Sequence, residues 1–214
     1  MEVPPSIVLV DDHEIVRQGC RLLFEQAGYT VVAEVSSGEE AYEKHLKLKP
    51  QLTVMDLAMP GVGGIETIRR IRAHSPQARI VVFTMRDHPF IVTRVLRAGV
   101  LGYVTKTNPP RILLEAVKRA LLGGFYLSQD IAQAIALSNM DIRHSPLTTL
   151  TPRELEIFRM LSEGRSSSEI AETLSLSQKS VANYSLRVKQ KLGLRNVAEL
   201  VRLAMNEGLI EREA

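Results

Sequence analysis

Apolar residues in the first half of the chain come in short runs, and most of the runs end on a polar residue. Ile7-Val8-Leu9-Val10 leads into Asp11-Asp12, and Leu52-Thr53-Val54-Met55 leads into Asp56. Ile80-Val81-Val82-Phe83 leads into Thr84, and Gly102-Tyr103-Val104-Thr105 leads into Lys106. A further run spans Thr30–Val35. Short continuous apolar runs bounded by turn signals read as strands buried on both faces. Stretches of about ten to fifteen helix-like residues separate them. The alternation predicts an α/β domain over residues 1–126, a five-stranded, parallel, doubly wound sheet with helices on both faces. Ile65, Ile68 and Ile71 mark one helix. Asn108 as cap and Pro109 in the first turn open another, whose stripe of Leu113, Ala116, Val117, Ala120 and Leu121 stops at Gly123-Gly124. The stripe after Ser37-Gly38 is blurred by Lys44 and His45.

The pattern changes after residue 126. Ser128-Gln129-Asp130 predicts the start of a short helix through Ile131, Ala132, Ile135 and Ala136. Ser138–Pro146 then has no period and reads as a polar, mobile linker, so residues 127–147 are assigned to a linker that is helical in part. Residues 148–214 read as an all-α domain of four helices. Thr151 caps the first, Pro152 fits its first position and Glu154 completes a capping box. A second helix covers Ser167–Leu174, with Ile170, Ala171 and Leu174 inward. Ser177 caps a third that runs to about Leu192, and a fourth spans about Val197 to Asn206. Two short helices joined by the turn Ser175-Leu176-Ser177 predict a helix-turn-helix.

Composition narrows the class. At 214 residues the chain has room for two modest domains, and 45% hydrophobic with 24% charged residues is ordinary for globular protein. No apolar run approaches the ~18 residues that a membrane span needs. Met1-Glu2-Val3-Pro4-Pro5 lacks the features of a signal peptide, and the single Cys20 can form no internal disulfide, so a cytoplasmic protein is expected. A net charge of +3 decides little, but its distribution does. Between Glu172 and Glu199 there is no acidic residue, while Lys179, Arg187, Lys189, Lys191 and Arg195 are present. A solvated surface helix usually mixes both signs; an acid-free basic run on a capped helix suits a phosphate backbone.

The candidate chemistry gathers around Asp56. A lone aspartate at a strand end often only caps a turn. Here Asp11, Asp12 and Asp56, the Thr84 hydroxyl and the Lys106 ammonium all fall at the carboxyl ends of predicted strands, where open α/β sheets place their sites. Paired acids there suit a hard divalent cation held through oxygen. No glycine-rich phosphate loop follows any strand, which disfavours a nucleotide site. His13, beside the acid pair, reads first as a helix-start residue and second as a modulator of the pair.

Residues 6–126 resemble the receiver domain of a two-component response regulator through Asp11-Asp12, Asp56 with Met59-Pro60, Thr84, Tyr103 and Lys106. The resemblance implies that Asp56 accepts a phosphoryl group from a histidine kinase. It implies that Asp12, Asp56 and the Ala58 backbone carbonyl hold Mg²⁺, with Asp11 acting mainly through a water. It implies that Lys106 neutralises phosphoryl charge, that Thr84 turns to the new phosphoryl group and that Tyr103 moves inward. Thr107 departs from the usual Lys-Pro or Lys-Asp pair. Leu150–Glu156, Gly164, Glu169-Ile170-Ala171, Leu174, Ser177, Val181 and Lys191-Leu192 resemble a LuxR-type helix-turn-helix, and the whole chain resembles the NarL/FixJ family. That implies a transcription regulator rather than an enzyme with a turnover substrate, acting as a homodimer on two-fold related half-sites of double-stranded DNA, with RNA polymerase a further candidate partner and no membrane contact.

On the third helix of this domain, Lys179, Ser180, Ala182, Asn183, Leu186, Arg187 and Lys189 are the candidate DNA contacts, with Val181, Tyr184 and Val188 turned inward. Ala182 and Leu186 depart from positions that the family often makes basic. Two rival readings share some of these features. Phosphatases of the haloacid-dehalogenase kind also use aspartate and Mg²⁺, but carry Asp-x-Asp after the first strand, where this chain has Asp11-Asp12. Ligand-sensing regulators with degenerate receivers lack part of the acid and lysine set, which this chain retains.

Overall fold

The apolar runs form β1 (Ser6–Val10), β2 (Thr30–Val35), β3 (Leu52–Met55), β4 (Ile80–Thr84) and β5 (Gly102–Thr105) in a computed structural model that describes residues 3–138, 145–207 and 209–210. A sixth strand, β6 (Tyr126–Leu127), extends the expected sheet, with all pairings parallel and the order β2-β1-β3-β4-β5-β6. β6 carries only two residues, too few to leave a run or an alternation in the sequence. The order reverses between β1 and β3, so the carboxyl ends of these neighbours flank the switch point of the sheet.

The intervening helices are α1 (Glu14–Gln26), α2 (Gly38–Leu48), α3 (Gly64–His74), α4 (Pro89–Arg97), α5 (Pro110–Leu121) and α6 (Gln129–Ser138). One core layer joins Ile7, Leu9, Val54, Val81 and Val104 of the strands to Cys20 and Phe24 of α1 and to Leu113, Ala116, Val117 and Ala120 of α5. The buried Ile68 and Ile71 of α3 and Val92 and Val95 of α4 complete the core. Burying a side chain such as Phe24 completely contributes roughly 1.5–3 kcal/mol.

Two details differ from the sequence reading. Pro109 occupies the N-cap position of α5, with no side-chain cap bond, and the helix starts at Pro110, one residue later than Asn108 as cap and Pro109 in the first turn would place it. Proline disfavours helical geometry in the residue before it, and Pro109 accordingly lies at φ −56°, ψ 146°. His45, which blurred the α2 stripe, is buried at 5% exposure, with Nδ1 3.3 Å from Thr53 Oγ1. The polar ring therefore faces the core, where Thr53 partners it.

The chain divides into two compact units, residues 1–139 and 140–214. α6 belongs to the first, packed against α4 and β5. Of the expected mobile linker, residues 139–144 lie outside the described residues. In the second unit a 3-10 turn, Pro146–Thr149, precedes α7 (Pro152–Ser162), α8 (Ser167–Thr173), α9 (Gln178–Leu192) and α10 (Val197–Asn206). The Thr151–Glu154 capping box forms, and a second, Ser166–Glu169, opens α8. Ile157, Met160, Ile170, Ala171, Leu174 and Val181 form a core of this unit. Gly193, at φ 65°, ends α9 in the left-handed region, which glycine adopts without strain. Among the described residues no helix is long and apolar enough to cross a membrane.

Candidate functional site

Asp56 directly follows β3, and its N–H donates to the Val10 carbonyl at 2.8 Å, which fixes it beside the end of β1. Asp11 is held in the same way, its N–H donating to the Val35 carbonyl at 3.1 Å. The strand ends thus bring Asp11, Asp12 and Asp56 together, and one ligand atom from each, with a ring nitrogen of His13, lies within 4.8 Å of the others. Asp56 is 2% exposed. Its Oδ1 accepts from the Leu57 N–H at 2.5 Å and the Ala58 N–H at 3.2 Å. Lys106 Nζ reaches in from the end of β5, 2.7 Å from Asp56 Oδ2 and 2.6 Å from Asp11 Oδ2.

The charges are settled by these contacts. Burial pushes the Asp56 carboxyl up, but the Lys106 ammonium, the Thr84 hydroxyl and the Ala58 N–H outweigh it and hold the group below the usual carboxylate value. Burial pushes Lys106 down, and Asp11 and Asp56 outweigh that, so its pKa is raised. Asp56 is therefore an anion and Lys106 a cation at neutral pH. A set of carboxylate oxygens suits a hard cation such as Mg²⁺ better than a soft one.

The two residues expected to act as a switch, Thr84 and Tyr103, sit on the paired strands β4 and β5. Thr84 is fully buried; its hydroxyl accepts the Arg86 N–H at 3.4 Å and helps to hold the Asp56 pKa down. The Tyr103 ring was expected to swing inward; it is already fully buried, its hydroxyl donating to the Arg86 carbonyl at 2.7 Å. Burial pushes its phenol pKa up. His13 occupies the cap position of α1 but makes no side-chain cap bond. Its Nδ1 lies 2.9 Å from Asp12 Oδ1 and 3.3 Å from Asp11 Oδ1, so the ring joins the acid pair instead.

Three supporting residues were not singled out from the sequence. A Cβ at Gly64 would lie 2.3 Å from the Asp56 carbonyl oxygen, so α3 can begin this close to the site only on a glycine. Glu39 Oε1 accepts the Val62 N–H at 3.0 Å and braces the loop after Asp56. Asp130, on α6, accepts from Thr105 and Asn108, on either side of Lys106. The glycines around position 64 were the only signal of these; the two carboxylates lie far from Asp56 in sequence.

The second candidate site is α9. Ser177 caps it, accepting from the Ser180 N–H at 3.1 Å. Val181 and Val188 are fully buried, and Tyr184 packs on the core. Lys179, Ala182, Asn183, Leu186 and Arg187 are exposed, Leu186 at 57%, while Ser180 and Lys189 are half-buried. Lys191 of the basic run is engaged within the fold, 2.6 Å from Glu154 Oε2.

Comparison with known proteins bears on both sites. Residues 7–118 match the family described as "Response regulator receiver domain", and residues 148–204 match "Bacterial regulatory proteins, luxR family". The chain is 36% identical over 211 residues to "Response regulator UvrY" of Escherichia coli K12, covering 97% of each chain. It is 38% identical to "Transcriptional activator protein ExaE" of Pseudomonas putida, covering 96% of this chain and 98% of that one. Among solved structures it is similar to RcsB from Salmonella enterica serovar Typhimurium bound to promoter rprA in the presence of phosphomimetic BeF3- (29% identity, TM-score 0.66, 94% of this chain and 98% of that one). A LuxR-family two-component response regulator from Aurantimonas sp. SI85-9A1 covers 65% of this chain and 100% of its own at 44% identity and TM-score 0.62. With a receiver unit in front of a LuxR-type helix-turn-helix, and relatives of this order matched over nearly their full length, the chain belongs to the NarL/FixJ family of two-component response regulators, DNA-binding transcription factors rather than enzymes.

Proposed function

We propose that Asp56 is the phosphoacceptor, that a histidine kinase phosphorylates it, and that this controls dimerisation and the transcription of target genes. The observation that carries the proposal is a buried carboxylate kept ionised by a lysine it shares with Asp11. In the transfer an Asp56 oxygen forms a bond to phosphorus as the P–N bond of a phosphohistidine breaks, and the departing imidazole takes up a proton. A small acyl phosphate is an alternative donor, its P–O bond breaking instead. The Leu57 and Ala58 N–H groups hold the carboxylate in place. The Lys106 ammonium stands where phosphoryl charge collects, and positioning with charge neutralisation is most of what such a transfer requires. Asp11, Asp12, Asp56 and the Ala58 carbonyl would hold Mg²⁺, which supplies further positive charge to the phosphoryl oxygens. Thr84 is placed to bond the new phosphoryl group, and the buried Tyr103 couples that change to the β4–α4 loop through Arg86.

On DNA, α9 is proposed to enter the major groove. Asn183 bonds adenine bidentately, discrimination worth roughly 1–3 kcal/mol, and Ala182 and Leu186 touch thymine methyls. Lys179, Arg187 and Lys189 contact phosphates, with Ser180 near the helix start. The dimer contact is assigned to α10. Leu200 and Ala204 are buried within the unit's own fold, which leaves the half-buried Val201 and Met205 for a partner. RcsB, a structural relative, is described as dimers bound to DNA. A cytoplasmic protein acting on RNA polymerase at its promoters fits the same reading.

Intact mass spectrometry after incubation with a phosphodonor and Mg²⁺ tests the proposal. One added phosphate is expected in the wild type and none in Asp56→Asn; undiminished labelling of the variant would remove Asp56 from the mechanism. Light scattering of the DNA complex should give two chains per two-fold site, and one chain per site would contradict the dimer.

A further inference from the structure

A polar cluster joins the strand that delivers Lys106 to the helix that ends the first unit. Thr105, 1% exposed, immediately precedes the lysine. Its hydroxyl donates to Asp130 Oδ2 at 2.9 Å and accepts from Asn108 Nδ2 at 2.5 Å. Thr107 Oγ1 lies 2.9 Å from the same hydroxyl. Asn108 Nδ2 also donates to Asp130 Oδ2, at 3.1 Å. One carboxylate oxygen in the first turn of α6 therefore binds residues on both sides of Lys106.

The residues around this cluster tighten the connection. The Lys106 N–H donates to the Thr84 carbonyl at 2.8 Å, and the Asn108 N–H to the Thr105 carbonyl at 3.1 Å, so the backbone bonds shape the turn while Asp130 ties together the side chains that flank the lysine. Ser128, just ahead of α6, donates its N–H to the Tyr103 carbonyl at 3.2 Å. Burial pushes the Asp130 carboxyl up, but Ser128, Thr105, the Ile131 N–H and Asn108 outweigh it, so it stays ionised and accepts these bonds as an anion. Packing of α6 through the fully buried Ile131 would need none of this. Thr107 also stands where a proline or an aspartate is usual, and here its hydroxyl joins the cluster.

We infer that Asp130 is a positioning residue of the phosphoacceptor site: it fixes the 105–108 turn and with it the Lys106 ammonium, and it makes α6 follow that lysine when Asp56 is phosphorylated. The inference rests on Asp56 being the phosphoacceptor. It gives the pocket a hydrogen-bonded route to the helix that precedes the DNA-binding unit in sequence, separate from the Thr84–Tyr103 pair.

The test uses the full chain as wild type, Asp130→Ala and Asp130→Asn, phosphorylated with acetyl phosphate and Mg²⁺. Intact mass gives the rate against donor concentration, and hydrogen exchange gives the protection of α6 amides before and after phosphorylation. Lys106 acts on charge that develops during transfer. Asp130→Ala should therefore lower the saturated rate by about tenfold, while the half-saturating donor concentration moves by less than about twofold. Its α6 amides should lose the change in protection that phosphorylation causes in the wild type. Asp130→Asn, which keeps an acceptor oxygen, should restore most of both. A wild-type rate and a wild-type α6 response in Asp130→Ala would overturn the inference, as would equal losses in both variants accompanied by an equal fall in melting temperature. A wild type that takes up no phosphate overturns the phosphoacceptor reading itself, so the two failures are distinguishable.

Discussion

Lys106→Met removes the ammonium at the centre of the acidic pocket while keeping most of the side-chain volume. In the wild type, Nζ lies 2.6 Å from Asp11 Oδ2 and 2.7 Å from Asp56 Oδ2, with side-chain exposures of 9% for the lysine, 7% for Asp11 and 2% for Asp56. Without Mg²⁺, the substitution leaves two buried carboxylates with no cation between them. Removing one partner of a buried ion pair costs about 3–5 kcal/mol. The neighbouring Asp12 side chain is 30% exposed, so water reaches the edge of the pocket and the lower end applies, about 3 kcal/mol. Native-state hydrogen exchange of the β1 and β3 amides in EDTA should accelerate by roughly a hundredfold near pH 7, and this assay reads the first unit without assuming that both units unfold together.

The pH dependence has a definite sign. In the wild type Asp56 is held below the unfolded carboxylate value of about 3.9, so its contribution is present above that value and lost as pH falls through the depressed one. In Lys106→Met the burial contribution remains without its largest counterweight, and the folded value rises above the unfolded one. Protonation then stabilises the variant as pH falls, so its deficit is largest near pH 7 and shrinks toward about pH 5. Unchanged exchange near pH 7, or a deficit that grows on acidification, would show that Lys106 does not hold the two carboxylates in this way.

Gly64→Ala places a Cβ 2.3 Å from the Asp56 carbonyl oxygen and 2.7 Å from Leu57 Cα, both backbone atoms. It should lose about 1–3 kcal/mol in β3 exchange, against a null result if the loop simply shifts. His45 is held below its ordinary pKa by burial and by His74, so its contribution is present above about pH 6.5 and lost as pH falls through the depressed value. His45→Gln should flatten stability between about pH 7 and pH 5, and an unchanged slope would place that sensitivity elsewhere. Asn183→Ala should relax base preference at one position per half-site in selection from random DNA. Lys189→Ala should instead weaken all sequences alike and lower the salt slope by about one unit; a base-specific loss in Lys189→Ala would reverse the two roles.

The pocket was legible because parallel strands buried on both faces must be apolar along their length, which leaves the polar residues at their ends conspicuous. Asp11, Asp12, Asp56, Thr84 and Lys106 were visible for that reason. The α9 faces were legible because Val181 and Val188 are two helical turns apart, on one side. Features that depend on distant partners leave no period in the sequence. β6 is two residues long and is recognisable only through its partner β5. Asp130 looks like an ordinary first-turn acid until α6 packs beside β5 and brings it to Thr105, 25 positions away. Glu39 likewise meets Val62 across 23 positions. His45 broke the α2 stripe because a polar ring can face a core when Thr53 is there to meet it.

Phosphate on Asp56 should change how α9 meets DNA. The direct measurement is a binding titration on sites recovered by footprinting across the organism's own genome, with wild type and Asp56→Asn, each with and without prior treatment with the phosphodonor and Mg²⁺. Couplings between two sites commonly amount to about 1–3 kcal/mol, so treatment should tighten the wild-type Kd by roughly 5- to 150-fold and leave Asp56→Asn unchanged. Equal Kd values for phosphorylated and unphosphorylated wild type, or the same shift in Asp56→Asn, would contradict it.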